Sequence, residues 1–538
     1  MPSSLASIVA LSLLLPIHSQ NEAAWIDPET PLNARSTKAM GNRDLTLVFS
    51  DEFNDNQRTF QDGADTRWTA EDRPAVVNEA LQYYNSSHIS TRNGKLAIET
   101  TRSNANWTEY DPNTGKQYEF SRLYQSGMLT SWNKFCFTSG MIEVSFQLPG
   151  DAFEGGLWPA FWMLGNLARP NYLDSTDGIW PYSYDTCGES EEAVNANNAQ
   201  KISNCKTGKG RGSPEIDIIE AQPGDYELQY PSVEFQDGIT KSCSLGRPLM
   251  SSSLQVAPGV DKSRRPFIPD FPQPGEWYPD LYPMGGPAYG DADSGSIFDD
   301  DEVIEVERAA DGTCPSVLNN YWYGQLISEN PDIYQDGLSV NWQNDPNFYT
   351  QQTVIRTEWQ SGEDDGYVRW FWDDKLIYEV TSDTLKAKPG PSDAIPLIPL
   401  EPMYLIFNTD ISPKWGWNGC DPTDPCMAAA GICGPNNQLN CLDCSDPRCL
   451  QCPDKTAWLA TFCEMVDPNN PATFEIDYIR AYKKRLSPSL DLENDYQIVF
   501  QDEFLGSNLD SRKWNSHLLW GPYLPINNEE QYYVDALG

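Results

Sequence analysis

The feature that most constrains this chain is a recurring alternation of period two. Residues 142–148 set Ile142, Val144, Phe146 and Leu148 against Glu143, Ser145 and Gln147. A second run sets Phe474, Ile476 and Tyr478 against Glu475 and Asp477, and Leu96 and Ile98 repeat the pattern. Successive side chains of an extended strand point to opposite faces, so this spacing gives each strand one apolar and one wetted face. No long stretch has helical spacing outside the N-terminal apolar run. An apolar strand face needs a second layer to bury it, and the pattern predicts an all-β chain of two packed sheets. The 37 glycines and 41 prolines agree, since they favour turns over long helices.

The length of 538 residues leaves room for one large decorated domain, or one domain plus parts. Asp and Glu number 78 against 37 Lys and Arg, a net charge of −41. Such a surface repels phosphate backbones and argues against a nucleic-acid partner. Histidines occur only at 18, 88 and 517. A three-histidine zinc site or a Ser-His-Asp triad is hard to build from these, so the chemistry falls to carboxylates.

Residues 5–17 form an apolar run followed by His18. Its length suits the core of a secretory signal better than a membrane span of about 20 residues. Residues 1–20 are therefore expected to be a signal peptide or signal anchor, followed by a linker over 21–44, and the chain to be secreted, wall-bound or membrane-anchored. Thirteen cysteines agree with an oxidising compartment. Eight lie within 420–463: Cys420, Cys426, Cys433, Cys441, Cys444, Cys449, Cys452 and Cys463. The two Cys-x-x-Cys pairs mimic a zinc site, but their separation is too tight for a standard zinc ribbon, and a disulfide knot is expected. Cys136, within Phe-Cys-Phe, is expected to be a buried free thiol. Asn85 and Asn106 open glycosylation sequons.

Three stretches read as inserts: 166–213, 258–315 and 418–470. Within the second, Asp291, Asp293 and Asp299 to Glu302 hint at calcium, but the glycine falls one position early for an EF-hand loop, and a solvated acidic loop is expected. One internal repeat is present. Residues 47–53 (LVFSDEF) reappear as 498–504 (IVFQDEF), Trp68 corresponds to Trp514, and Gln82-Tyr83-Tyr84 corresponds to Gln531-Tyr532-Tyr533. Residues 486–497 read as a linker, and 498–538 as the truncated start of a second copy of a domain spanning 45–485. Forty-one residues are too few to bury a sandwich core of their own.

The stretch that carries chemistry is Pro214-Glu215-Ile216-Asp217-Ile218-Ile219-Glu220. On a regular strand Glu215 and Asp217 share a face and Glu220 has the wrong parity. A β-bulge near Ile219 restores it and lines three carboxylates on one face. Their mutual repulsion raises at least one pKa, as a general acid requires. Glu215 and Glu220 then lie roughly 13 Å apart at Cα, which inward-leaning side chains close to about 5–6 Å, nearer the spacing of retaining than of inverting glycosidases. A solvated edge strand with scattered acids is the structural alternative. Residues 155–165 place Trp158, Ala160 and Trp162 on one face, where indoles stack against sugar rings or else fill the core. Pro159 in that run suggests a bulge or a strand edge.

With these residues in place, the chain resembles glycoside hydrolase family 16, the laminarinase-like β-glucanases. The likeness rests on Glu215, Asp217 and Glu220, on Phe49-Ser50-Asp51-Glu52-Phe53, on residues 158–162 (WPAFW) and on the closing strand from Phe474 to Tyr482. It is narrower still to the fungal-type β-glucan synthesis-associated branch, through residues 177–187, 252–258 and 320–324. The resemblance implies a concanavalin A-like jelly-roll β-sandwich with disulfide-bearing insertions and a concave cleft. It implies Glu215 as nucleophile, Glu220 as general acid/base and Asp217 as orienter of the nucleophile, with Trp158 and Trp162 binding substrate, and neither metal nor cofactor. The expected partner is a β-glucan and the expected reaction is hydrolysis or transglycosylation of β-1,3-(1,6-)glucan in the cell wall. The alternative is a non-catalytic β-glucan-binding assembly factor.

Overall fold

The computed structural model describes residues 25–111, 114–170, 180, 213–223, 248–256, 316–318, 336–343, 345–362, 364–386, 397–412, 425–431, 443–448, 451–452 and 457–484. Two sheets face each other across one core. Among the described residues the first runs Ser36–Ala39, Arg43–Asp51, Ala472–Lys484, Gly140–Gln147, Thr353–Gln360, Tyr367–Trp372, Lys375–Thr381, with Lys95–Thr100 and Ile89–Arg92 attached beside Ala472–Lys484. The second runs Ser316–Leu318, Asp336–Gln343, Leu249–Val256, Glu215–Gln222, Trp158–Gly165, Met403–Asp410, Met128–Thr130, Thr69–Ala70. Pairing within both is antiparallel, and neighbours in space are mostly distant in sequence. This is the jelly-roll β-sandwich that the alternation and the family likeness predict.

The predicted faces are observed for most of their length. Ile142, Val144, Phe146, Phe474 and Ile476 are buried in the shared core, where Phe161 stacks on Phe407 at 4.2 Å. The alternation slips at one place. The ladder between Gly140–Gln147 and Ala472–Lys484 shifts by one residue at Asp477, so Tyr478 leaves the core face and Ile479 takes its place. Tyr478 donates instead to Glu143 Oε1 at 3.0 Å. A bulge reverses parity downstream, which pattern reading alone does not reveal.

The repeated Asp-Glu-Phe motif is an internal anchor. Asp51 is fully buried and accepts from both terminal nitrogens of Arg58, at 2.7 and 2.9 Å, and from Trp68 Nε1 at 2.9 Å. Asp65 binds the other edge of the same guanidinium, and Glu52 pairs with Arg480. Bidentate pairing satisfies the charge that burial would otherwise penalise. The corresponding second copy, the signal-like segment and the acidic stretch from Asp291 to Glu302 lie outside the described residues.

Among its described residues the third insert holds short helices, Pro425–Ala430 and Ala457–Met465, and the disulfides Cys426–Cys452 and Cys444–Cys463. These four cysteines are therefore not zinc ligands. Leu459, Phe462 and Val466 form a small core with Tyr124, Leu157 and Ile411 at one end of the sandwich. Gly156, with φ of +120°, lies under Phe462, and a Cβ there would meet the ring at 2.2 Å. The insert is thus fastened just before the strand that begins at Trp158. Cys136 is unpaired, as expected, but exposed rather than buried. Phe135 and Phe137 both turn inward, so the residue between them must turn out. No helix among the described residues is long and apolar enough to cross a membrane.

Replacing Asp51 by Ala leaves the Nη1 of Arg58 and the Trp68 N–H without their acceptor inside the fold, with Asp65 holding only the other edge of the guanidinium. A loss of about 3–5 kcal/mol is expected, read as a lowered midpoint in urea denaturation.

Candidate active site

The acidic strand, Glu215–Gln222, lies inside the second sheet, between Trp158–Gly165 and Leu249–Val256. Its register slips against both neighbours: Asp217 pairs with Trp162 and Ser253, whereas Glu220 pairs with Ala160 and Ser251. The predicted bulge therefore exists, at Ile218 and Ile219, and both isoleucines enter the core, at 1% and 0% exposure. Two consecutive inward residues return Glu220 to the face of Glu215 and Asp217. Two carbonyls of the bulge accept side-chain donors: Ser252 Oγ reaches Ile218 O at 2.9 Å and Trp370 Nε1 reaches Asp217 O at 3.0 Å. Trp370 belongs to the opposite sheet, so this bond crosses the core. Trp342 Nε1 donates to Ser252 Oγ at 3.1 Å and holds that hydroxyl in place.

The three carboxylates have unequal surroundings. Asp217 is buried and accepts at Oδ2 from Ser253 Oγ and, at 3.1 Å, from Gln255 Nε2. It also shares a hydrogen bond with Glu215. Glu215 is half-buried, and its Oε2 accepts from Trp180 Nε1 at 2.8 Å. The indole of Trp158 and the hydroxyl of Ser251 act on Glu220 in the opposite sense to burial, favouring its charged form. Burial pushes the carboxyls of Glu215 and Glu220 well above the ordinary glutamate range, and the charge of Asp217 adds to this. Asp217 is also raised by burial, against the pull of Ser253 and Gln255. The trio thus keeps its protons to higher pH than free carboxyls do, a condition that suits proton donation.

Trp158, Ala160 and Trp162 do share the acid face, with Phe161 and Met163 turned into the core. The strand is central rather than an edge, and its register with Met403–Asp410 is unbroken through Pro159. Pro159 is tolerated because pairing to the acidic strand has already ended at Ala160. Trp158 is buried, at 7% exposure; Trp162 is partly exposed, with Nε1 donating to Asn408 Oδ1 at 2.7 Å.

Several groups at this site escaped the sequence reading. Trp180, Ser253 and Gln255 lie in segments that signalled the family, but nothing in their spacing pointed to the acids. Trp370, Asn408 and Asp410 carry no local signal at all, since their role arises from strands 150 or more residues away in the chain.

The family profile described as "Beta-glucan synthesis-associated protein SKN1/KRE6/Sbg1" matches residues 6–262, which include the acids, Trp158, Trp162 and the serine-bearing strand. The chain is 31% identical over 409 residues to "Beta-glucan synthesis-associated protein KRE6" of Saccharomyces cerevisiae, covering 73% of this chain and 46% of that protein. The chain belongs to this β-glucan synthesis-associated family. It spans about half the length of the curated relatives it matches. A shorter match, 31% identical over 157 residues, is to "Endo-1,3-1,4-beta-glycanase EglC" of Rhizobium meliloti, covering 26% of this chain and 29% of that protein. Among solved structures, the laminarinase catalytic domain from Thermotoga petrophila RKU-1 aligns over 82% of this chain and 100% of its own, at 18% identity and a TM-score of 0.38. That likeness is too distant to add to the fold described above.

The raised carboxyls make the site costly to the fold. Glu220 is protonated more readily in the folded than in the unfolded chain, so its contribution to stability is full at acid pH and is lost as pH rises towards its folded pKa. Glu220→Gln should therefore raise Tm at neutral pH, and the gain should vanish below about pH 4, where the unfolded acid is protonated too. Thermal unfolding followed by circular dichroism across that range checks both parts.

Proposed function

We propose that this domain is a retaining β-glucan hydrolase or transglycosylase acting on β-1,3-(1,6-)glucan, in the formation or remodelling of cell-wall glucan. The observation that carries the reading is the bulge, which turns Glu215, Asp217 and Glu220 to one face and gives each a different set of donors. Glu215 bonds to the anomeric carbon as the glycosidic bond breaks, and Glu220 gives its proton to the departing oxygen. Glu220 then takes a proton from water or from a sugar hydroxyl, which attacks the same carbon and releases Glu215. Asp217 steadies Glu215 through their shared hydrogen bond. Trp162 offers a partly exposed indole, pinned at its N–H, for a sugar ring to stack upon. The named glucanase activity of the Rhizobium relative and the glucan association of the yeast relatives support the substrate class.

The expected setting is the secretory pathway, with the chain wall-bound, extracellular or held by its N-terminal segment. The catalytic unit is assigned to 45–485, and 498–538 to the start of a second copy. Of the two sequons, Asn106 is exposed on the Ala105–Asp111 strand, whereas the Asn85 amide already donates to Gln125 Oε1 at 2.7 Å and its oxygen caps Ser87. Asn106 is the better placed to carry a glycan.

A second reading, a glucan-binding assembly factor with little turnover, is favoured by one observation. Asp217 and Glu220 are withdrawn from solvent, at 3% and 9% exposure. Incubation with laminarin-type oligosaccharides separates the two. The enzyme reading expects shorter or longer products, loss of turnover in Glu215→Gln, and a drop of about 10²–10⁴-fold in Glu220→Gln. Products must keep the anomeric configuration, which trapping with methanol reads out. Binding without turnover, unchanged in both variants, establishes the assembly factor.

A further inference from the structure

Beside the acids lies a buried polar relay that the proposed reaction does not use. Asp410 ends the Met403–Asp410 strand opposite Trp158 and is 4% exposed. Its Oδ1 accepts from Gln82 Nε2 at 2.6 Å, from Asn408 Nδ2 at 3.1 Å and from the Tyr84 hydroxyl. The orientation of each amide is determined by its second partner. Gln82 Oε1 accepts the backbone N–H of Ile411 at 2.9 Å, so its nitrogen must face Asp410. Asn408 Nδ2 also donates to the Tyr84 oxygen at 3.2 Å. With both directions of its NH₂ group taken, Asn408 turns its oxygen outward, where it accepts Trp162 Nε1. An amide alone has two orientations half a turn apart, and an obligate acceptor behind it selects one. The plane of the Trp162 indole, facing the acids across the ladder from Asp217, is therefore set by a carboxylate two side chains away.

We propose that Asp410 is a positioning residue: through Asn408 it fixes the indole of Trp162, and its ionisation governs how firmly a β-glucan ring is held on that indole. The proposal rests on the reading of the cleft as a β-glucan site. An ionised carboxylate only accepts, so the three donors converge on it and the relay is taut. Once protonated, Asp410 becomes a donor itself and its hold on Asn408 weakens. Burial, opposed by Gln82, raises its carboxyl to about 7. The ionised form dominates above that value, so sugar affinity should rise with pH across it. The groups around Asp410 are Gln82 and Tyr84 from one strand, Asn408 from its own, and Trp158 from the next, with Glu220 beyond Trp158; of these only Tyr84 and Glu220 titrate.

The test uses the full chain labelled with 5-fluorotryptophan, the Trp162 resonance being assigned by loss in Trp162→Phe. That resonance should move with pH, with a midpoint near 7, and should stop moving in Asp410→Asn. In a Glu215→Gln background, which prevents turnover, the Kd for a β-1,3-linked glucotetraose should fall about three- to tenfold between slightly acid and slightly alkaline pH, the effect of about one hydrogen bond. Adding Asp410→Asn should flatten that step while leaving the titration of Asp217 and Glu220 in place. A Trp162 signal that does not move across neutral pH, or that moves unchanged in Asp410→Asn, overturns the relay. If Asp410→Asn does not fold, the wild-type titration alone decides. A signal that titrates as expected with no glucotetraose bound at any pH upholds the relay and overturns the glucan reading instead.

Discussion

The site depends on one extra residue in one strand. An antiparallel ladder cannot absorb an unpaired residue without exposing backbone groups, and inside a sandwich those groups meet no water. Here the cost is met from both layers: Ser252 from the neighbouring strand and Trp370 from across the core supply donors to the bulge. The bulge is therefore locked by the packing of the two sheets, and the direction of Glu220 is a property of the whole sandwich. A strand that slipped back into regular register would send Glu220 into the core among isoleucines, where a carboxyl has no partner.

The same packing makes the acids expensive and useful together. Three carboxyls side by side in a buried setting destabilise the fold whenever they are charged. The structure offsets this with neutral donors, using Ser253 and Gln255 on Asp217 and Trp180 on Glu215. No cation is among these partners. A lysine or arginine there would pull every carboxyl down and abolish the protonated acid, whereas hydroxyl, amide and indole donors hold the side chains still without forcing them all to ionise. Elsewhere the chain does use cations: Arg58 on Asp51 and Arg480 on Glu52 pair with the acids of the first repeat motif. The contrast separates acids paired with cations from acids held by neutral donors.

Parity reading succeeded wherever a strand stayed regular and failed where a neighbour imposed a slip. Ile142, Val144 and Phe146 fell where the alternation put them, but Tyr478 did not, because the shift at Asp477 belongs to the ladder and not to the local pattern. The bulge at Ile218 and Ile219 was legible only because three acids with mismatched parity demanded it. Pro159 misled in the other direction. It suggested a bulge or an edge; it lies in the middle of the sheet, two residues before a register shift, at a point where one partner strand has already stopped pairing. Cys136 was expected inside, yet its aromatic neighbours on either side take the inward positions.

By itself, the sequence determined the fold class and set three acids along one strand, because alternation and residue type are local properties that survive without a partner strand. Only the tertiary structure decided which groups surround those acids. Trp180, Trp370, Asn408, Asp410 and the Gln82–Tyr84 strand reach the site from separate parts of the chain. Their hydrogen bonds exist only after the sheets close, and hydrogen bonding depends on distance and direction that no linear spacing encodes.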